Sequence, residues 1–170
     1  MSKDPVPLKA VHHIEFWVGN AKQAAFFYRK AFGFNQIAYS GLETGNRDRA
    51  SYVLEQGRIR MVFSTPLNSN NGISEHIKAH GDGVKDIAFH VDDAKACYEA
   101  CIARGAKSAR EPEVISDDNG SITQAAIYTY GETIHSFISH DNYSGPFLPG
   151  FEERKVDGDT VGLRFVDHIV

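Results

Sequence analysis

The feature that most constrains this 170-residue chain is that its pattern is written twice. Shifting the sequence against itself by 73 positions lays residues 11–22 on residues 84–95 without a gap. Six positions are then identical: Val11/Val84, Ile14/Ile87, Phe16/Phe89, Val18/Val91, Ala21/Ala94 and Lys22/Lys95. In each copy an alternating, strand-like pattern runs straight into an Ala-rich helical one. Helices are expected at about 20–32 and 92–104, with Asn20 and Asp92 as N-caps and Gly33 and Gly105 as stops. Three further strand-like runs follow each helix, at 34–40, 50–56 and 59–65 and again at 107–115, 122–130 and 134–140. A short helix at about 73–80, stopped by Gly81, joins the copies. The fold class is therefore α+β: two βαβββ modules, about 10–80 and 84–140, forming one curved eight-stranded sheet with helices outside. Neither module closes a core alone; side by side they can.

Strand alternation divides the side chains between two faces. Ile14, Phe16 and Val18, and again Ile87, Phe89 and Val91, form faces suited to lying beneath helices. His13, Glu15 and Trp17, with Asp86, Ala88 and His90, then point into the concave side. A concavity holding His13, Asp86 and His90 is polar enough to suggest a vestigial metal site, but it reads more economically as a hydrogen-bonded cavity.

The composition narrows the functional classes. Eighteen Lys and Arg against 22 Asp and Glu, without a basic block, give no electrostatic footprint for nucleic acid or anionic lipid. No apolar run approaches the roughly 20 residues of a membrane helix, and the start lacks the pattern of a signal peptide, so a cytoplasmic location is expected. Cys97 and Cys101, four apart on a helix, read as small core-facing residues rather than a redox pair. His76 and His80 are also four apart, but no Glu follows the first. The zinc-protease pattern is thus missing, and the pair reads as part of an exposed helix.

After the second module, the charged stretch 151–162 reads as a linker. Residues 163–170 then begin another strand, in which Val166-Asp167-His168-Ile169 echoes Val11-His12-His13-Ile14 and Val84-Lys85-Asp86-Ile87. Residues from about Glu152 onward are expected to pack poorly, because a new module begins there without its partner strands.

Paired βαβββ units resemble the vicinal oxygen chelate, or glyoxalase-like, superfamily. Longer strings carry a narrower likeness: residues 16–25 (FWVGNAKQAA), 41–45 (GLETG), 80–88 (HGDGVKDIA) and 147–150 (FLPG) resemble the N-terminal half of the 4-hydroxyphenylpyruvate dioxygenase family. Residues 166–170 (VDHIV) resemble the opening of that family's C-terminal, catalytic half. The resemblance makes 1–150 an N-terminal vicinal-oxygen-chelate domain and 163–170 the first strand of a truncated catalytic domain. It implies conversion of 4-hydroxyphenylpyruvate and O₂ to homogentisate and CO₂, a step of tyrosine catabolism. The implied cofactor is a non-heme Fe(II) held by two histidines and a carboxylate. Carried over position by position, it makes His168 the first iron ligand and leaves the other two without a counterpart in this chain. The equivalent places in the first module pair read His13, Asp86 and about Phe137, and a phenyl ring cannot ligate iron. The resemblance thus implies a structural half, inactive and iron-free when alone, in a homo-oligomer.

Two other readings stand beside it. 4-Hydroxymandelate synthase is built alike and uses the same substrate; a stand-alone domain for small-molecule binding or assembly would be non-catalytic. Assembly has a motive in Trp17, Phe26, Phe27, Tyr28, Phe32 and Phe34, which crowd the first strand and helix. Helical spacing assigns Ala24, Phe27, Ala31 and Phe34 to the sheet and leaves Phe26 outward.

Overall fold

The computed structural model describes residues 4–169. The first module runs β1 (Ala10–Trp17), α1 (Ala21–Phe32), β2 (Asn35–Ser40), β3 (Arg49–Gln56) and β4 (Ile59–Pro66). After α2 (Gly72–His80), the second repeats the order as β5 (Gly83–His90), α3 (Ala94–Ile102), β6 (Ser108–Asp117), β7 (Gly120–Tyr128) and β8 (Ile134–His140). A last strand, β9, spans Glu152–Val156. The sheet order is β6-β7-β8-β5-β1-β4-β3-β2-β9. The two first strands, β1 and β5, meet antiparallel at the centre, and each runs parallel to the last strand of its own module. The sequence repeat is thus a structural repeat about the β1/β5 seam.

Local chemistry sets the helix ends. Asn20 Oδ1 accepts from the Gln23 amide at 3.0 Å to open α1, and Gly33, at φ 69°, closes it in the left-handed conformation. The second module corrects the expected cap by one residue: Asp93, not Asp92, accepts from the Ala96 amide at 2.9 Å. Asp92 instead pairs with Lys9.

Each module buries its own helix. Ala21 and Ala25 of α1 pack with Phe34, Leu54 and Phe63, and Ala94 and Cys97 of α3 with Val91, Ala125 and Phe137. The phase of α1 differs from expectation. Its small residues Ala21 and Ala25 lie against the sheet, and Tyr28 reaches in so that its ring stands 4.8 Å from Phe63. Phe27 is therefore 55% exposed, beside Phe26 at 57% and Phe32 at 42%. Close approach of two alanines brings the helix down onto the sheet, and a ring at position 27 would hold it off.

The stretch read as linker is where the fold gains a strand. β9 pairs antiparallel with β2, and the chain beyond it is pinned to the β3–β4 hairpin. Gln56 is the clamp: its Oε1 accepts from Thr160 Oγ1 at 2.8 Å and from the amides of Val161 and Leu163 at 3.1 and 2.9 Å. Its Nε2 donates to the Phe32 carbonyl at 2.6 Å. Residues from Glu152 are thus hydrogen-bonded to the first module, while nearly all of them stay exposed, as the expectation of poor packing has it. Residues 163–169 form no regular element, and Val170 lies outside the described residues.

Candidate functional site

The concave face holds more histidine than strict alternation predicts. β1 carries a register shift between Val11 and His13, and this bulge turns His12 as well as His13 toward the concave side. His12 Nδ1 lies 2.8 Å from His13 Nδ1, and His12 Nε2 lies 2.9 Å from His140 Nε2. A neutral imidazole has one donor and one acceptor, so His12 gives a proton to one neighbour and takes one from the other. The result is a chain of three rings from buried His13 to exposed His140. His90 adds its ring edge-on to His140 at 5.5 Å.

Burial and electrostatics keep His12 and His13 neutral. Burial, reinforced by His13 and the Arg60 guanidinium, pushes the His12 pKa far down. Burial also pulls His13 down to about 4, against the pull of the Glu15 carboxylate.

The carboxylates of the same face are engaged elsewhere. Glu15 pairs with Arg49 at 3.3 Å and accepts from the Ser64 hydroxyl at 2.6 Å. Asp86, opposite Glu15 on β5, accepts from the Ser136 amide at 3.0 Å and from its hydroxyl. Burial raises the Asp86 pKa to about 7 despite those hydrogen bonds, and the Glu15 charge adds to the rise.

The concavity is also filled by its own chain. Phe147 sits 5.1 Å from the His13 ring and 5.8 Å from His12, and packs with Ala38, Val53 and Val62. Leu148 bridges that cluster to a second one of Ala88, Ile122 and Ile138. The segment at 147–150 is thus the plug of the concave face.

An iron facial triad needs two imidazoles and a carboxylate meeting at one point. His13, Asp86 and His90 share the concave side, but His13 is spent on His12 and Asp86 on Ser136. The concave face does not fit such an ion. Phe137 proves to face the other way, into the α3 core, so the expected equivalence at that position is corrected: on β8 the concave side belongs to Ser136, Ile138 and His140. None of these is a carboxylate. His168 is exposed, with Nδ1 2.8 Å from Asp167 Oδ2.

Sequence reasoning missed His12 and His140. Extending the β8 alternation from Ser136 finds His140; nothing in the pattern announces the bulge that turns His12. The structure also corrects the reading of His76. It is buried, and both it and His80 approach Glu132.

Comparison with known proteins supplies the family. The sequence model of the Glyoxalase/Bleomycin resistance protein/Dioxygenase superfamily matches residues 12–123. The chain belongs to this superfamily. A 4-hydroxyphenylpyruvate dioxygenase of Dictyostelium discoideum is 45% identical over 171 residues, covering 96% of this chain and 47% of that protein. One of Tetrahymena thermophila is 45% identical over 170 residues, covering 93% and 42%. The chain therefore spans about half the length of the curated relatives it matches. Among solved structures, a 4-hydroxymandelate synthase mutant from Streptomyces coelicolor aligns with a TM-score of 0.76 at 23% identity, over 94% of this chain and 45% of that one. Methylmalonyl-CoA epimerase from Mycobacterium tuberculosis aligns at 0.64 and 14%, over 82% and 92%. At these identities the structural matches establish the superfamily fold alone. No helix among the described residues is long and apolar enough to cross a membrane.

Proposed function

We propose that this chain is the N-terminal portion of a 4-hydroxyphenylpyruvate dioxygenase, a cytoplasmic enzyme of tyrosine catabolism that converts 4-hydroxyphenylpyruvate and O₂ to homogentisate and CO₂. The observation that carries this is the 45% identity with two such dioxygenases across more than nine-tenths of the chain. 4-Hydroxymandelate synthase is the alternative; the structural match to one, at 23% identity, speaks for the shared fold alone.

The chain's part in that enzyme is scaffolding. Its own concave face is plugged by Phe147 and Leu148, and its carboxylates are committed to Arg49 and Ser136. His168 is the one iron ligand it contributes. The Asp167 carboxylate on Nδ1 leaves Nε2 as the coordinating nitrogen and orients the ring, the usual arrangement behind a metal-bound histidine. Bound there with further ligands outside this chain, iron supplies the oxygen chemistry. The domains are 1–150, a connecting stretch at 151–162, and 163–170 as the opening of the catalytic half. The exposed aromatic patch of Phe26, Phe27 and Phe32 serves a homo-oligomer contact.

The test is to express the open reading frame containing this chain and assay homogentisate from 4-hydroxyphenylpyruvate under oxygen. The full product is active, the 170-residue chain is inactive, and His168→Ala in the full product abolishes turnover while the fold is kept. An iron-loaded full product that forms hydroxymandelate, or a His168→Ala enzyme that still turns over, overturns the reading.

A further inference from the structure

Away from the concave face, three side chains bring metal-ligating atoms together. His76 and His80 stand one turn apart on α2, and Glu132 lies in the turn between β7 and β8. Glu132 Oε2 is 3.3 Å from His76 Nδ1 and 3.2 Å from His80 Nε2, and one ligand atom from each of the three residues lies within 4.8 Å of the other two. We propose that His76, His80 and Glu132 form a binding site for a divalent late first-row ion, zinc foremost, separate from any iron centre of the family.

The separations leave room for a shared ion. A charge-assisted N–H···O bond settles at about 2.7–2.9 Å. Ligand atoms held about 2.0–2.1 Å from a tetrahedral metal stand roughly 3.3 Å apart. Both Glu132–His separations are compatible with ligands of one ion. The remaining edge, between the two imidazoles, needs at most a small rotation of His80, whose side chain is half exposed. Two neutral imidazoles and a carboxylate suit zinc, and the same donors bind Co²⁺, Ni²⁺ and Cu²⁺. Fe²⁺ stands low in the affinity order for such sites.

The ligands are held by rigid neighbours. Asn71 caps α2 through the Ser74 amide at 2.9 Å. The buried His76 ring stands edge-on to Trp17 at 5.2 Å. Lys85 donates to the Glu132 carbonyl, fixing the turn, while its ammonium lies 4.7 Å from the centre of the Trp17 ring. Lys85 is also the cation an incoming ion must face. Three protein ligands leave a fourth place for water, as in open zinc sites.

Trp17 is the chain's single tryptophan and touches His76, so the site carries its own reporter. Titrating the metal-free chain at pH 7.5 with Co²⁺ or Ni²⁺ quenches its emission in a saturable, one-equivalent curve. Zn²⁺ competes with the quencher, and a chelator reverses the effect. His80→Ala and Glu132→Gln, both exposed and safe for folding, each weaken apparent affinity at least tenfold, whereas His140→Ala leaves it unchanged. Quenching that does not saturate overturns the proposal. So does quenching that survives His80→Ala and Glu132→Gln, or that vanishes with His140→Ala. The readout involves neither homogentisate nor iron, so it stands or falls apart from the dioxygenase reading.

Discussion

Two buried groups on the concave face titrate in opposite senses. Asp86, with a folded pKa near 7 against an ordinary 3.8, contributes stability that is fully present below about 4 and lost as pH rises through 7. His13, with a folded pKa near 4 against 6.5, contributes stability that is fully present above 6.5 and lost as pH falls through 4. His12 acts in the same direction as His13, so these two imidazoles cost the chain stability as pH falls below about 6.5. Asp86→Asn removes the opposing group and keeps a carbonyl oxygen for the Ser136 amide. A buried carboxylate displaced this far costs on the order of 4 kcal/mol when ionised. The variant therefore melts about 5 °C or more above wild type at pH 8, and the gap closes toward pH 4. Melting curves across that range check it; an Asp86→Asn chain less stable than wild type at pH 8 rules the account out. At this scale the sequence was half legible. Alternation assigned His13, Glu15, Asp86 and His90 to the correct face, because side-chain direction in a regular strand is fixed by geometry. It could not foresee that Ser136 would claim Asp86, since that contact joins strands 50 residues apart.

The elements were more readable than their exceptions. The repeat, the helices and eight strands follow from periodicity that two modules enforce on each other. β9 was not readable, because a strand with all five residues exposed leaves no burial pattern. The stretch is held by backbone pairing to β2 and by one side chain, Gln56, whose three accepted bonds come from residues more than 100 positions away. Gln56→Leu strands the Val161 and Leu163 amides and the Phe32 carbonyl. At about 1 kcal/mol net for each lost bond, the attachment weakens by roughly 2–4 kcal/mol. Trypsin then cuts at Lys155 and Arg164 well before the body of the chain, whereas the wild-type tail resists for longer. Equal cleavage rates in the two chains show that the clamp does not hold the tail. Gly33 has a share in the same docking: a Cβ there would lie 2.0 Å from the Asp159 carbonyl oxygen, so the helix stop is also the seat of the tail.

For the whole molecule, the helix phase decides which aromatics are left over. Because Ala21 and Ala25 take the sheet, Phe26, Phe27 and Phe32 face outward, with Phe27 and Phe32 edge-on at 5.8 Å. Exposed aromatics grouped on one helix belong to an interface more readily than to a lone monomer. Sedimentation at micromolar concentration gives a dimer or larger assembly for the wild-type chain and a monomer for Phe26→Glu; a monomer in both removes the contact from α1. The added strand also governs association of a less orderly kind. Without it, β2 would offer a bare ladder carrying Ile37, Ala38 and Tyr39, a template on which further copies could stack without limit. Glu152–Val156 occupies that ladder and presents Glu-Glu-Arg-Lys to the outside. At the opposite border, β6 has Pro112 and two register shifts, neither of which welcomes a new neighbour. Both borders of the sheet thus carry features that discourage further pairing, and on one of them the five residues that look least like a strand supply the charge.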